Sequence, residues 1–369
     1  MPKERRRFLG AALLLLLTLI WSGLGSPLRG EDWAALPSQA AMALRQLPAR
    51  VDRMLSLWPA WAQRAALPPG ASLCRGWQVT AYDPQGGALV TLDSEAYLLG
   101  VVAAEMPASY HLEALKSQAV AARTRLIAQT PAWGGGGCPS HPGADICLDS
   151  ACCQGYLSPE DRRARWGADF AAYEGRVSQA VAEAGRLILT YEGQPITVMY
   201  HAVSGGRTED AAQVFSQSLP YLIPVDSPGE EGSAKYETQT VFSCQEAAAL
   251  LNAAFPQARA EAALLSAQLA IREVSAAGRA LTVQVGEQLV TGREFREALG
   301  LNSTWLTLQC DENTLTLRQR GYGHGVGMSQ AGANAMAARG SAMADILSHY
   351  YPGTTLTPLA EPAEQLPAV

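Results

Sequence analysis

Apolar and polar positions alternate along the chain in rhythms that change several times. From Phe8 to Leu24 the residues are almost all apolar, and Lys3, Arg5, Arg6 and Arg7 stand in front of them. A basic start followed by such a run is the layout of an export signal, with its positive end kept on the cytoplasmic side. A spanning helix needs about 17–25 apolar residues, and this run sits at the lower end of that range. Ser22, Gly23 and Gly25 are small enough for a cleavage site, but no clear A-x-A pattern accompanies them. A retained signal-anchor over residues 1–25, with the rest of the chain outside the membrane, is the expectation. Cleavage and secretion is the alternative.

Residues 26–72 are rich in Ala and Pro and read as a stalk. Within it, Leu44, Leu47, Val51, Met54 and Leu55 recur at helical spacing across Met42–Trp58. From residue 73 to 355 the pattern is that of a folded domain. Trp77–Tyr82 and Ala88–Leu92 read as strands around the turn residues Asp83–Gly87. Ser94–Ala104 reads as a helix, stopped at Met106 because Pro107 disfavours helical geometry before it. Leu112, Leu115, Ala119, Ala122 and Leu126 predict a helix over Leu112–Gln129 with one inward face, beside a stripe carrying Lys116 and Arg123. Residues 130–159 lose periodicity and collect Gly, Pro, His and Cys. Further on, a helix is predicted over Asp169–Ala184 and a hairpin from Arg186–Tyr191 and Pro195–Tyr200. A second hairpin joins Leu269–Ser275 to Arg279–Val285. A capped helix covers Thr291–Leu299, a strand Thr314–Gln319, and closing helices Ala331–Arg339 and Met343–Tyr350. The tail, 356–369, is Pro-, Ala- and Glu-rich and is expected to be disordered. Strands and helices mix without a regular βα rhythm, so the fold class is α+β, one large mixed domain of antiparallel strands and packed helices.

Composition changes this picture little. With 48% hydrophobic and 17% charged residues the 369-residue chain is globular, and its net charge of −6 gives no support for nucleic-acid binding.

Chemistry concentrates in four segments. Glu105 closes an apolar helix just before a proline-enforced break, where burial would raise its pKa into the range a general acid needs; from the residues alone, a solvated carboxylate at a helix end is the more ordinary reading. His141, Cys147, Cys152 and Cys153 place four soft or borderline ligands within thirteen residues of a Gly/Pro-rich loop, which suits a tetrahedral structural zinc site. Cys138 is a substitute ligand. Disulfides compete with this reading in an oxidising compartment. If three cysteines hold zinc, Cys74, Cys138, Cys244 and Cys310 remain, with no pairing legible. Gly321, Gly323, Gly325 and Gly327 surround His324 and allow close backbone approach to a ligand, and Ser329 is a candidate cap for the helix that follows. Tyr200, Ser204, Gly205 and Gly206 form a similar strand-to-loop element.

The string EMPASYHLEALKSQAVAART (Glu105–Thr124) resembles the signature of the stage II sporulation protein D family, also known as the amidase-enhancer or LytB-like domain. His141–Tyr156, Tyr200–Asp210, Gly321–Gly340 and Ser348–Thr354 agree with it in order, so the resemblance covers roughly residues 75–355. It implies a lytic transglycosylase acting on peptide-free glycan strands of peptidoglycan, with Glu105 as the catalytic residue and 1,6-anhydro-N-acetylmuramic acid ends as product. It also implies a substrate-positioning role for Arg123, while Lys116, Tyr200, Ser204, Gly205, His324 and Gln330 are further substrate-binding candidates on their own residue chemistry. The family pattern has a histidine where this chain has Cys152, so the implied zinc set becomes Cys₃His. Spore engulfment, a membrane-bound cell-wall amidase and a membrane scaffold are the implied setting and partners. A non-catalytic, glycan-binding enhancer of an amidase is the competing function, and a catalytic zinc that hydrolyses amides is a third.

Overall fold

The computed structural model describes residues 77–215 and 217–360. The expected anchor, the stalk, Cys74 and the end of the tail lie outside the described residues. Among those described, no helix is long and apolar enough to cross a membrane.

The domain opens with the antiparallel hairpin β1 (Gln78–Asp83) and β2 (Ala88–Asp93), in register from Gln78↔Asp93 to Asp83↔Ala88. Its turn is held by Asp83 Oδ1, which accepts from Gln85 N at 2.9 Å, and by Gly87 at φ +63°. Helix α1 (Ser94–Glu105) begins where Asp93 accepts from the Glu95 and Ala96 amides, filling donors that a helix start leaves unpaired. Helix α2 (Leu112–Gln129) follows after the Pro107 break. The expectation of one inward face on α2 fails: Ala114, Leu115, Ala119, Val120, Ala121, Ala122, Leu126 and Ile127 are all buried. Its many alanines let neighbours approach from several sides, and Ser117, Gln118, Arg123 and Thr124 are buried along with them.

Next come β3 (Ile146–Cys147), which adds to β1 in parallel, α3 (Pro159–Trp166) and α4 (Phe170–Glu183). Strand β4 (Leu187–Tyr191) pairs with β5 (Gln194–Pro195). This hairpin is shorter than the sequence suggests, because Pro195 cannot donate to a ladder. β6 (Tyr200–His201) leaves it for a different partner.

A second lobe is inserted here. It holds β7 (Glu237–Ser243), α5 (Cys244–Ala254), the meander β8 (Leu269–Val274), β9 (Ala280–Val285) and β10 (Gln288–Thr291), α6 (Gly292–Ala298), and the hairpin β11 (Leu306–Cys310) and β12 (Thr314–Arg320). Helices α5 and α6 both start with capping boxes, Ser243/Glu246 and Thr291/Glu294. This lobe has its own apolar core around Leu251, Val283, Phe295 and Leu315, separate from the main core of α1, α2 and their neighbours. The main domain resumes with β13 (Met328–Ser329), parallel to β6, then α7 (Gln330–Ala338) and α8 (Met343–Tyr350). Ser329 caps α7 through Gly332 N at 3.2 Å. Strand β14 (Thr355–Pro358) pairs with β4 and so carries order past the expected start of the tail. The architecture is α+β, with small sheets, mostly antiparallel, around a helical centre.

The β6 loop is fixed by a buried carboxylate. Glu230 accepts from the Ser204 and Gly205 amides at 3.0 and 2.9 Å and from Ser227 Oγ at 2.6 Å, while Ser227 also meets Tyr350 Oη at 2.6 Å. Gly332 packs onto this network so closely that a Cβ would overlap Tyr350 Oη and Ser227 Oγ. Gly332→Ala is expected to destabilise the domain by about 1–3 kcal/mol, read as a lower thermal midpoint. An unchanged midpoint would contradict the packing described.

Candidate active site

Glu105 is the last residue of α1, and the Met106 N–H still bonds back to Val102 O at 3.0 Å. Its half-buried side chain opens on a cleft of about 500 Å³ lined by Pro84, Leu148, Asp149, Ser150, Gly155 and Tyr156. Oε1 accepts from Gly155 N at 3.1 Å, and Oε2 faces Gln330 Nε2 at 3.5 Å. The Tyr200 hydroxyl also donates to the carboxylate. Burial nevertheless dominates and raises the Glu105 pKa above its ordinary value, against the pull of these donors and of Arg125. The negative end of the α1 dipole acts in the same direction as burial. At position 155 a Cβ would come within 3.2 Å of Glu105 Oε1, so a glycine suits the approach of the amide.

The Tyr200 donor is oriented by a buried chain. Tyr97 Oη donates to Gln154 Oε1 at 3.2 Å, and Gln154 Nε2 donates to Tyr200 Oη at 3.0 Å. With its oxygen thus occupied, the Tyr200 hydroxyl has its proton left for Glu105. Burial raises the pKa of both phenols, which keeps them protonated. Gln330, the first residue of α7, also faces Gln118 Oε1 at 3.4 Å. The sequence reading missed Tyr97, Gln118, Arg125, Gln154 and Asp149. Gln118, Arg125 and Gln129 do lie on one stripe of an otherwise Ala-rich helix, a legible signal that points at this site.

Of the expected substrate-positioning residues, Tyr200 and Gln330 meet Glu105 and the others do not. Arg123 is fully buried and pairs with Glu95 at 3.5 Å. Glu95 lies ten residues before Glu105 on α1, about 15 Å along the helix. Arg125 is the nearby cation instead, donating to Val198 O and Cys152 O, both at 3.5 Å. Lys116 pairs with Glu113 at 2.7 Å and Glu183 at 3.5 Å. Ser204 and Gly205 are consumed by Glu230. The His324 ring accepts from Val326 N at 3.1 Å and donates to the Tyr200 carbonyl. Burial, helped by the Arg296 charge, pushes its pKa down to about 4, so the neutral ring braces the glycine loop.

The cysteines of the 138–153 loop converge. Cys138, Cys147, Cys152 and Cys153 bring their sulfurs within 4.8 Å of one another. The 138–152, 152–153 and 138–153 separations are 3.7, 3.8 and 3.8 Å. Four sulfurs about 2.3 Å from a tetrahedral zinc would stand about 3.8 Å apart, so the set fits such an ion with no open position. A disulfide would instead draw two of the sulfurs to about 2.05 Å. Cys138 therefore takes the place expected for His141, whose ring stacks on Tyr82 at 3.7 Å and whose Nδ1 lies 3.4 Å from Cys138 Sγ. The same loop supplies Leu148, Asp149 and Ser150 to the cleft wall, so the cluster and the cleft share one support.

Fold and site together define an α+β protein with one sheltered carboxyl group in an open cleft, walled by a four-cysteine loop. Residues 82–191 match the family described as Stage II sporulation protein (SpoIID). The chain is 32% identical over 282 residues to stage II sporulation protein D of Bacillus subtilis, covering 76% of this chain and 78% of that protein. It is 34% identical over 283 residues to the Bacillus amyloliquefaciens protein of the same name, with the same coverage, 76% and 78%. With the amidase enhancer of Bacillus subtilis it shares 30% identity over 309 residues, 70% of this chain and 40% of that protein. The chain belongs to the stage II sporulation protein D family.

A carboxyl whose folded pKa is raised above its unfolded value weakens the fold once pH passes the unfolded value. Glu105→Gln is therefore expected to melt higher than wild type at pH 7, with the gain vanishing as pH falls below the ordinary glutamate value of 4.5. Thermal melts across pH test this, and a lower midpoint for the variant at pH 7 would contradict it.

Proposed function

We propose that this chain is a peptidoglycan lytic transglycosylase that cleaves peptide-free glycan strands with Glu105. The observation that carries the reading is a single carboxyl group, raised in pKa by burial, at the edge of an open cleft. Protonated Glu105 gives its proton to the glycosidic oxygen as the C1–O bond breaks. The resulting carboxylate, held by Gly155 N, Gln330 and Tyr200, then takes the proton from the C6 hydroxyl of N-acetylmuramic acid as that oxygen bonds C1. The acid returns to its starting state, a 1,6-anhydro end forms and no water is consumed. Glycosidases that use water need two carboxyl groups across the bond. The other carboxylate of this cleft, Asp149, is turned towards its own loop, with Oδ1 accepting from Ala151 N at 2.8 Å.

A cell-wall role in sporulation suits the family, and engulfment beside a membrane-bound amidase and a membrane scaffold is the setting we assign. The Phe8–Leu24 run would hold the domain on the outer face of the membrane. A zinc ion on Cys138, Cys147, Cys152 and Cys153 would supply no chemistry to the reaction and would fix the cleft wall. The likeness to an amidase enhancer favours one second reading, a glycan-binding module without catalysis.

Glu105→Gln is expected to lower cleavage of peptide-free strands by on the order of 10²–10⁴-fold while keeping its fold and glycan binding. Equal cleavage by both proteins removes the catalytic assignment, and binding without cleavage by wild type supports the enhancer. Wild-type activity is expected to fall as pH rises through the raised Glu105 pKa. Tyr200→Phe removes a donor to the carboxylate and is expected to move that limb to higher pH; a shift to lower pH would contradict the hydrogen bond assigned.

Metal analysis is expected to find one zinc per chain. Cys138→Ser should lose it and His141→Ala should retain it, and the reverse outcome would restore the Cys₃His set.

A further inference from the structure

Outside the four-cysteine loop, two thiols of the second lobe also meet. Cys244 is the first residue of α5, buried beneath the 311–313 turn, where its N–H donates to Asn313 O at 2.8 Å. Cys310 ends β11 and pairs across the sheet with Leu315, which in turn pairs with Phe242 on β7. Their sulfurs lie 3.8 Å apart, and each is 3.5 Å from the Asp311 carbonyl. We propose that Cys244 and Cys310 are joined by a disulfide in the exported protein, tying the start of α5 to the end of β11.

Three observations carry this. The sulfurs are already in van der Waals contact, so only side-chain rotation and a small backbone adjustment separate them from a bond of about 2.05 Å. The other four cysteines of the described region are gathered in the separate cluster, which leaves this pair to itself. The two cysteines stand 66 positions apart in sequence, and the chain between them carries β8, β9, β10 and α6, with Leu251, Val283 and Phe295 of the second core. A bond here closes almost the whole lobe into one loop, where a disulfide restricts the unfolded chain strongly.

The chemistry is thiol–disulfide exchange. The two thiols give up two protons and two electrons, and one S–S bond forms between them. The acceptor is a disulfide-bearing protein oxidant outside the membrane, whose own S–S bond breaks and which leaves as a dithiol. Burial and the adjacent Cys244 push the Cys310 thiol up to about 11, so reaction with small disulfides is slow at neutral pH and quickens as pH rises. The cellular step rests on the export reading, whereas the pairing itself does not.

The test uses the full chain, purified reduced and zinc-loaded, and incubated with oxidised glutathione at pH about 8.5. After alkylation and digestion, one cross-linked peptide pair holding Cys244 and Cys310 is expected, lighter by two hydrogens than the two reduced peptides together. The linked protein is expected to resist proteolysis between these residues about ten-fold or more longer than the reduced form. Cys310→Ser, expected to fold, should abolish both the link and the protection. Alkylation of both thiols after this treatment, or a link from either to Cys74, overturns the pairing. The same peptide map on protein made in cells with its N-terminal segment intact is expected to show the link. A pair that joins in vitro but stays reduced in cells overturns the disulfide as the mature state and points to the export reading as the failed step.

Discussion

A carboxylate leaves water only at a cost, and the rest of this site follows from where that cost is imposed. Glu105 stands at the negative end of a buried helix, partly stripped of solvent, so the protonated form is favoured more than in a free glutamate. Gly155 N, Gln330 and Tyr200 compensate in part, so the anion, once formed, is still received. Sheltered enough to hold a proton and furnished well enough to lose it, the group can serve as acid and base in turn. Each of those donors is placed by a different part of the chain. The cysteine loop brings Gly155, the first turn of α7 brings Gln330, and β6 brings Tyr200 under the control of Gln154 and Tyr97.

The α+β class, the helices and the hairpins built on turn residues were legible in the sequence because their signals are local. Asp93, Ser329 and Thr291 cap where capping chemistry predicts, and Pro107 ends α1 where it must. Strands β3, β5, β6 and β13 are two residues each, too short to show any period. β3, β6 and β13 exist through long-range parallel pairing, whereas β5 only closes a tight hairpin on β4. The second core escaped notice for a related reason: β7, which opens the lobe, pairs with β12, which closes it, and no local pattern announces that pairing.

At the site, the identity of Glu105 as the residue to watch came from its position before Pro107 and from the family resemblance, and its surroundings did not. Residues 123 and 125 are about 200° apart around a helix, so which arginine faces Glu105 depends on how α2 packs against α1. Arg123 points to Glu95 and Arg125 towards the cysteine loop and the cleft. Likewise Cys138 and His141 are three residues apart in an aperiodic loop, and only the fold decides that the sulfur turns in while the ring stacks on Tyr82.

In the chemistry we propose, one carboxyl group suffices and no water enters the reaction. Digesting peptide-free glycan strands in heavy-oxygen water, followed by mass spectrometry of the fragments, tests it directly. The expected result is anhydro-muramic ends that carry no heavy oxygen. Reducing ends labelled with it would contradict the account and turn attention to Asp149 as a second carboxylate acting on water.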